Sequence, residues 1–208
     1  MLHLETVESG TFSILKELMQ LPAMKQFYLV GGTALALQYG HRKSVDLDLF
    51  SNVPFENEII QESLRNFYQS DLIIEGKPPR FGIFAYIKDI KTDIVYHPHP
   101  LIRPTQEIEG VRMFSTADIM AMKIQAILGR GKKKDFWDIA ELLTDYSVQD
   151  FISFHKEKYN TQNLLITVPQ AMTYFADAEE SEDPISLKGQ TWDYVKHLIQ
   201  RKVSEYLL

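Results

Sequence analysis

Two aspartates are separated by a single leucine in the run VDLDLF, where acidic and apolar residues alternate as they do in a β-strand. Residues two apart on a strand point to the same face, so Asp46 and Asp48 lie side by side while Val45, Leu47 and Leu49 point into a core. Adjacent carboxylates repel each other, and a hard divalent cation such as Mg²⁺ or Mn²⁺ is a natural partner for their oxygens. The pair therefore predicts a metal site, although a half-exposed strand without a ligand has the same pattern.

The sequence Gly31-Gly32-Thr33 lies between a short β-rich run, QFYLV, and the rest of the helical stretch TALALQY. Glycines allow a backbone to approach a ligand closely, and a helix N-terminus attracts anions. Thr33 is predicted to cap the helix and Gly40 to end it. The order of strand, glycine turn, helix and Asp-x-Asp strand therefore predicts a phosphate-binding turn beside the metal site.

A third carboxylate, Asp93, lies in the apolar, strand-like run TDIVY. In a site with three carboxylates it would help to hold a second metal ion and would take the proton from an attacking hydroxyl group. An ion pair with Lys91 would also explain an acid at this position. The residues alone leave both interpretations open.

The C-terminal half contains a second group of charged residues in the run KIQAILGRGKKKDFWDIAELL. Lys123 and Arg130 are seven residues apart and share a helix face, and Asp135 and Asp138 are three apart and also adjacent. Alone, these residues would suit a pair of surface helices with ion pairs along them. Opposite three carboxylates, the basic side chains would instead form a wall that binds a triphosphate.

The remaining pattern predicts a mixed α/β half followed by an all-helical half. Helices are expected over 11–24, 33–39, 54–67, 116–128 and 133–145, with two or three more over 148–208 around an acidic loop, DAEESEDP. Strands are expected over 26–30, 45–50, 71–75, 81–87 and 92–96, with a further hairpin or edge strand over 106–113. We therefore predict an α+β fold, with a mixed sheet and flanking helices over 1–114 and a helical region over 115–208 that completes a cleft. The sequence HPHP is interpreted as a solvated loop rather than a metal site.

The composition narrows the class of protein. Of the 208 residues, 45% are hydrophobic and 24% charged, which is typical of a globular protein. The absence of cysteine excludes disulfides and thiolate metal sites. With no signal peptide pattern and no long apolar run, we expect a soluble, cytoplasmic protein. A net charge of −6 disfavours non-specific binding of nucleic acid, although the basic run from Arg130 to Lys134 opposes this.

Together, these motifs resemble the nucleotidyltransferase superfamily of the polymerase-β type. More narrowly, GGTALALQYGHRKSVDLDLF and KIQAILGRGKKKDFWDIAELL resemble the AbiEii/AbiGii-type nucleotidyltransferase toxin family. The resemblance implies a Mg²⁺-dependent nucleotidyltransferase that moves a nucleoside monophosphate from an NTP to a hydroxyl acceptor, with RNA, particularly the 3′ end of tRNA, as that acceptor. It also implies a toxin of a toxin–antitoxin or abortive-infection system, with a cognate antitoxin protein as partner.

The resemblance implies roles for individual residues as well. The catalytic residues would be Asp46, Asp48, Asp93, Lys123 and Asp138, and the first three of these would hold the metal. The nucleotide-binding residues would be Gly31, Gly32, Thr33, Arg42, Ser44, Lys123 and Arg130. The superfamily often has serine in place of Thr33, and threonine retains the hydroxyl group.

Two alternatives remain open. A small-molecule nucleotidyltransferase would modify a hydroxyl group of an antibiotic, and the acidic balance of the chain suits a cationic aminoglycoside. Basic side chains at the cleft mouth would favour RNA, and acidic ones a small molecule. A catalytically inactive nucleotide-binding or interaction protein would show no metal-dependent stabilisation that replacing Asp48 removes.

Overall fold

A seven-stranded mixed sheet forms the centre of the computed structural model, which describes all 208 residues. The strands are β1 (Tyr28–Leu29), β2 (Leu47–Ser51), β3 (Leu72–Ile74), β4 (Gly82–Ile87), β5 (Ile90–Tyr96), β6 (Gln106–Ile108) and β7 (Val111–Met113). Their order across the sheet is β3-β4-β5-β2-β1-β7-β6. The predicted α+β fold, with a mixed sheet, flanking helices and a helical C-terminal region, is confirmed.

The two central strands owe their orientation to alternating side chains. Leu47 and Leu49 of β2 and Ile94 of β5 are buried in the core, so the polar residues between them point to the opposite face. β2 runs parallel to β5 and antiparallel to β1. In the register of the parallel pair, Asp48 lies directly opposite Asp93.

Helices pack against the sheet and make up the C-terminal half. They are α1 (Ser9–Gln20), α2 (Gly31–Tyr39), α3 (Asn57–Tyr68), α4 (Thr116–Gly129), α5 (Lys133–Leu142), α6 (Val148–Lys158), α7 (Val168–Thr173), α8 (Ala176–Glu179) and α9 (Trp192–Leu207). The backbone N–H of Asp118 donates to the hydroxyl of Ser115, which caps α4, and Gly40 ends α2 as predicted, with a left-handed φ of 66°. None of these helices combines the length and the apolar composition that a membrane span requires.

The beginning of α2 differs from the prediction. The helix begins at Gly31, and Val30 occupies the N-cap position, so Thr33 lies inside the first turn and does not cap it. The hydroxyl of Thr33 instead donates to the backbone carbonyl of Asp46. The hydroxyl group that the local sequence assigned to helix capping therefore forms a tertiary hydrogen bond instead.

Other boundaries shift for equally local reasons. The strand expected over 26–30 shortens to two residues, because the chain is still turning at Gln26. Val45 is 57% exposed rather than buried, because β2 begins only at Leu47. The region 148–208 contains four helices instead of two or three, since α7 and α8 are short.

One hydrophobic core contains residues from both halves of the chain. Backbone hydrogen bonds also join the halves: the N–H of Lys43 donates to the carbonyl of Ile185, and that of Leu187 to the carbonyl of His41, each at 2.9 Å. These bonds hold the segment before β2 against the segment before α9. The division of the chain after residue 114 stays a prediction.

Candidate active site

Two of the predicted carboxylates, Asp48 and Asp93, lie on β2 and β5, and the third, Asp46, directly precedes β2. Asp48 and Asp93 are opposite each other in the parallel register, and Asp46 precedes Asp48 by two residues on the same side. All three line one cavity of about 480 Å³ between the sheet and the C-terminal helices. The fold therefore brings Asp46, Asp48 and Asp93 to one cavity, as the sequence pattern led us to expect.

Burial and neighbouring charged groups act on each of these carboxylates. Burial, followed by the charge of Asp93, raises the pKa of Asp48 to about 6 from its ordinary value of 3.8. One oxygen of Asp93 accepts from Lys91 at 2.9 Å, whereas its Oδ1 is buried with no hydrogen-bond partner. Asp46 accepts from Lys134 at 3.2 Å.

Both interpretations of Asp93 are thus partly realised, because it pairs with Lys91 and also faces the cavity. No three acidic or histidine side chains are grouped closely enough to hold a metal ion as they stand. Binding of a metal by Asp46, Asp48 and Asp93 accordingly stays a prediction.

The glycine turn lies tightly against the carboxylates. Gly31 has a left-handed φ of 68°, and a Cβ atom added there would lie 2.7 Å from Oδ2 of Asp48. A Cβ atom on Gly32 would collide with the guanidinium group of Arg42. Both positions therefore require glycine, and both glycines line the cavity with their backbone exposed to it.

Thr33 and Ser44 position the loop that carries Asp46. The Thr33 side chain is buried, and its hydroxyl lies 2.8 Å from that of Ser44 while donating to the carbonyl of Asp46. These two hydroxyls are engaged within the protein. Direct contact of their side chains with a nucleotide stays a prediction.

A buried ion network lies behind the cavity wall and centres on Asp138, which is fully buried and does not line the cavity. Its Oδ1 accepts from Arg42 and from His41, both at 2.7 Å, and its Oδ2 lies 2.6 Å from the ammonium group of Lys123. Lys123 also donates to Asp135 at 2.8 Å. Burial acts against ionisation of Asp138, yet Arg42 and Lys123 hold the pKa of this carboxyl well below its usual range.

The residues of this network differ in whether they line the cavity. Lys123 lines the cavity while it is held by two carboxylates, and Arg42 lines it while it is held by Asp138. Asp138 itself positions these two cations from behind. Its prediction as a catalytic residue stays untested, but a positioning role matches its burial.

Basic side chains surround the mouth of the cavity. We call Arg130, Lys132 and Lys134 the basic rim. Arg130 and Lys132 are exposed and pair with no carboxylate, and Lys134 reaches Asp46. A polyanion entering the cavity would meet two free cations at its mouth and the glycine turn inside.

Comparison with known proteins explains the arrangement. The sequence model of one family, described as the nucleotidyl transferase AbiEii toxin of a type IV toxin–antitoxin system, matches residues 13–187. The chain belongs to this family. It is therefore a nucleotidyltransferase of the AbiEii toxin type, as the resemblance in its motifs implied.

One relative in sequence and two in fold match most of this chain. A protein of Aquifex aeolicus (strain VF5), named uncharacterized protein aq_aa25, is 30% identical over 200 residues, which are 93% of this chain and 94% of the relative. JHP933 from Helicobacter pylori has the same fold, with a TM-score of 0.60 at 18% identity, covering 96% of this chain and 92% of that one. The nucleotidyltransferase toxin MenT4 from Mycobacterium tuberculosis H37Rv also has a TM-score of 0.60, at 10% identity, covering 95% and 86%.

Sequence reasoning missed one part of the cavity lining. Phe50, His97 and Tyr159 also line the cavity. His97 and His99 were assigned to a solvated loop, but both are partly buried, and the ring of His99 lies 4.6 Å from that of Tyr159. Strand alternation could have indicated Phe50, which follows Asp48 by two residues. Tyr159 comes from the end of α6, and no local pattern connects it to the carboxylates.

Proposed function

We propose that this chain transfers a nucleoside monophosphate from an NTP to a hydroxyl group of RNA, with Mg²⁺ or Mn²⁺ bound by Asp46, Asp48 and Asp93. The observation that carries the proposal is the register of β2 and β5, which sets Asp48 opposite Asp93 in a cavity with a basic rim. Nucleotidyl transfer follows from the family. The metal and the acceptor are the proposed parts.

The carboxylates suit a hard divalent cation. Oδ1 of Asp93 is buried without a partner, and burial, followed by the charge of Asp93, raises the pKa of Asp48 to about 6. A cation would supply the missing partner to both groups, and oxygen donors are what Mg²⁺ prefers. When bound, the metal would neutralise phosphate charge and polarise the α-phosphate.

The chain's own groups would bind the substrates and move the proton. The basic rim would hold the triphosphate through charge-assisted hydrogen bonds, next to the backbone of Gly31 and Gly32. The acceptor hydroxyl would attack the α-phosphorus, so that a new P–O bond forms while the bond to pyrophosphate breaks. Asp93 would accept the hydroxyl proton, and the basic rim would offset the charge on the leaving pyrophosphate.

The metal-binding step is tested by thermal unfolding with each NTP in the presence of Mg²⁺. We expect the NTP and Mg²⁺ together to raise the melting temperature of the wild type, and Asp48→Asn to abolish this rise. Glu62→Gln, an exposed change on α3, is the matched control and should retain it. A rise of equal size in Asp48→Asn would remove this carboxylate from the site.

The acceptor is less constrained, because charges of both signs line a side opening of about 520 Å³ next to the cavity. The basic residues there are Arg42, Lys43, Lys132 and Lys134, and the acidic ones include Glu180, Glu182 and Asp183. Asp183 is neutralised by Lys133 at 2.7 Å, whereas Glu180 and Glu182 form no ion pair. The basic rim favours RNA, and the two free glutamates favour the second candidate, a cationic small molecule.

Labelled NTPs incubated with total tRNA, or with an aminoglycoside, distinguish the two acceptors. We expect label on RNA. The double change of Glu180→Gln with Glu182→Gln should increase transfer to RNA, because it removes two negative charges near the phosphate path. Transfer to the aminoglycoside alone, weakened by this double change, would replace RNA with the small molecule.

The family also supports a toxin role with a cognate antitoxin partner, since its description is that of a toxin–antitoxin system. Induced expression of the wild type should arrest bacterial growth, and Asp48→Asn should not. Arrest by both proteins at equal abundance would separate toxicity from the carboxylate site.

A further inference from the structure

An aromatic wall follows the carboxylates along the same face of the sheet. We use this name for Phe50, His97, His99 and Tyr159. Phe50 lies two residues beyond Asp48 on β2, which is about 7 Å along a strand. His97 comes directly after β5, and its N–H donates to the carbonyl of Ser51 at 2.8 Å, which continues the pairing of the two strands.

The rings of the aromatic wall lie close to one another. The ring centres of Phe50 and His97 are 5.7 Å apart, those of His97 and His99 4.6 Å, and those of His99 and Tyr159 4.6 Å. Burial, followed by the charge of Lys158, lowers the pKa of His97 to about 3 and also lowers that of His99. Both imidazoles are therefore neutral at physiological pH and add no charge to the aromatic wall.

A second cavity, of about 420 Å³, continues from the first at this wall. His97, Gln125 and Tyr159 line both cavities. The other lining residues of the second cavity are His99, Thr161 and Gln162, so all of its side chains are uncharged at neutral pH. The space next to the carboxylates thus has a basic end at the rim and a neutral end at the aromatic wall.

We propose that the aromatic wall, with Gln125 and Gln162 beside it, binds a nucleobase. A base has a flat face that stacks on aromatic rings and an edge that hydrogen-bonds to amides, and it carries no charge. Phosphates would lie at the basic rim, so the base would occupy the neutral end of the same cavity. The inference rests on the proposed function, and the base belongs either to the NTP or to the terminal nucleotide of the acceptor.

The test compares the full-length wild type with His97→Leu, which removes a ring, and with His97→Phe, which retains one. Tyr159→Leu and Tyr159→Phe form a second pair, and Tyr194→Leu, half exposed on α9, is the control. Binding is measured for each NTP with Mg²⁺ and for inorganic tripolyphosphate with Mg²⁺, which has no base. The KM for total tRNA is measured in the transfer assay.

If the base of the NTP is bound, both leucine variants should weaken NTP binding about 5- to 150-fold, the range expected for loss of base stacking. The phenylalanine variants should stay within about threefold of the wild type, and tripolyphosphate binding should not change in any variant. If the acceptor's base is bound, NTP binding should be unchanged while the KM for tRNA rises by a similar factor in the leucine variants alone.

Two results would contradict the proposal. The first is that NTP binding and the KM for tRNA are both unchanged in His97→Leu and Tyr159→Leu, which would mean that no base contacts the wall. The second is that the leucine variants weaken the binding of NTP and of tripolyphosphate equally, which would indicate a general disturbance of the site. Failure of the wild type to bind either NTP or tripolyphosphate is a different outcome, since it would refute the proposed function itself.

Discussion

At the scale of single residues, the candidate active site contains negative charge, at Asp48 and Asp93, that neighbouring cations only partly balance. Asp48 faces Asp93 across two strands, and the cations near it, Lys123 and Lys134, are already shared with other carboxylates. The site is therefore poised to gain a cation. The free energy of unfolding of the metal-free protein should therefore depend on the ionisation of Asp48.

Replacing Asp48 by asparagine should stabilise the metal-free protein, with a defined pH dependence. The folded pKa is about 6 and the ordinary value 3.8, so between these values the folded chain binds a proton that the unfolded chain has released. Stability contributed by this group falls as the pH rises through that window, and the full cost is present above it. Asp48→Asn should therefore unfold at higher urea concentration than the wild type at about pH 7.5, and at an equal concentration below about pH 4.

Chemical unfolding in EDTA across this pH range provides the measurement, with Glu62→Gln as the exposed control. Glu62→Gln should not gain resistance to urea over the wild type as the pH rises from 3.8 to about 6. An advantage of Asp48→Asn that is the same at every pH would mean that packing, rather than charge, is responsible.

A second residue-scale prediction concerns the buried network. Asp138→Ala would leave Arg42 and Lys123 buried without their shared partner, which should lower the free energy of unfolding by about 3–5 kcal/mol. For a chain of this size the melting temperature should fall by about 10 °C. Asp193→Ala removes a carboxylate that is 80% exposed and paired with Lys196, and should change stability by less than about 1 kcal/mol. Differential scanning calorimetry should rank the variants in this order, and equal losses would disprove the special role of burial.

At the scale of secondary structure, the beginning of α2 packs the glycine turn against the carboxylate of Asp48. Gly31→Ala should destabilise the protein by about 1–3 kcal/mol, because the left-handed conformation disfavours a Cβ atom. That atom would also displace the carboxylate of Asp48, 2.7 Å away, so NTP binding should weaken. Gly10→Ala is the matched control: it lies in α1 with open space around it and should be neutral or stabilise by up to about 1 kcal/mol. Thermal unfolding and NTP binding should be measured for both variants. Unchanged stability and NTP binding in Gly31→Ala would contradict the close packing of Gly31 against Asp48.

The same element shows what the sequence could and could not predict. Periodicity placed Asp48 and Asp93 on strands and the glycine turn at the start of a helix, because these signals are local. It also placed Asp46 on the strand of Asp48, whereas Asp46 lies directly before that strand. The role of Thr33 was missed, since its partner, the carbonyl of Asp46, is thirteen residues away in the chain. Tyr159 was missed for the same reason on a larger scale, because only tertiary packing brings the end of α6 to the carboxylates.

At the scale of the whole molecule, the cavity exists only when both halves of the chain are folded. The sheet side supplies the carboxylates, whereas α4, α5 and the turn between them supply Lys123 and the basic rim. Although the chain has a net charge of −6, it presents two unpaired cations, Arg130 and Lys132, at this cavity. The helical half also supplies Asp138, the buried carboxylate that pairs with Arg42 of the other half.

This arrangement predicts one cooperative unfolding transition. Both tryptophans, Trp137 and Trp192, lie in the helical half and stack with ring centres 5.8 Å apart, so their fluorescence reports that half. Far-UV circular dichroism reports the sheet as well. Because one hydrophobic core spans both halves, the two signals should change at the same urea concentration and fit a two-state transition. Asp138→Ala should move both curves together to lower urea. Separate transitions, with fluorescence lost before or after the sheet signal, would show that the helical half folds independently and that the cavity can open between two stable domains.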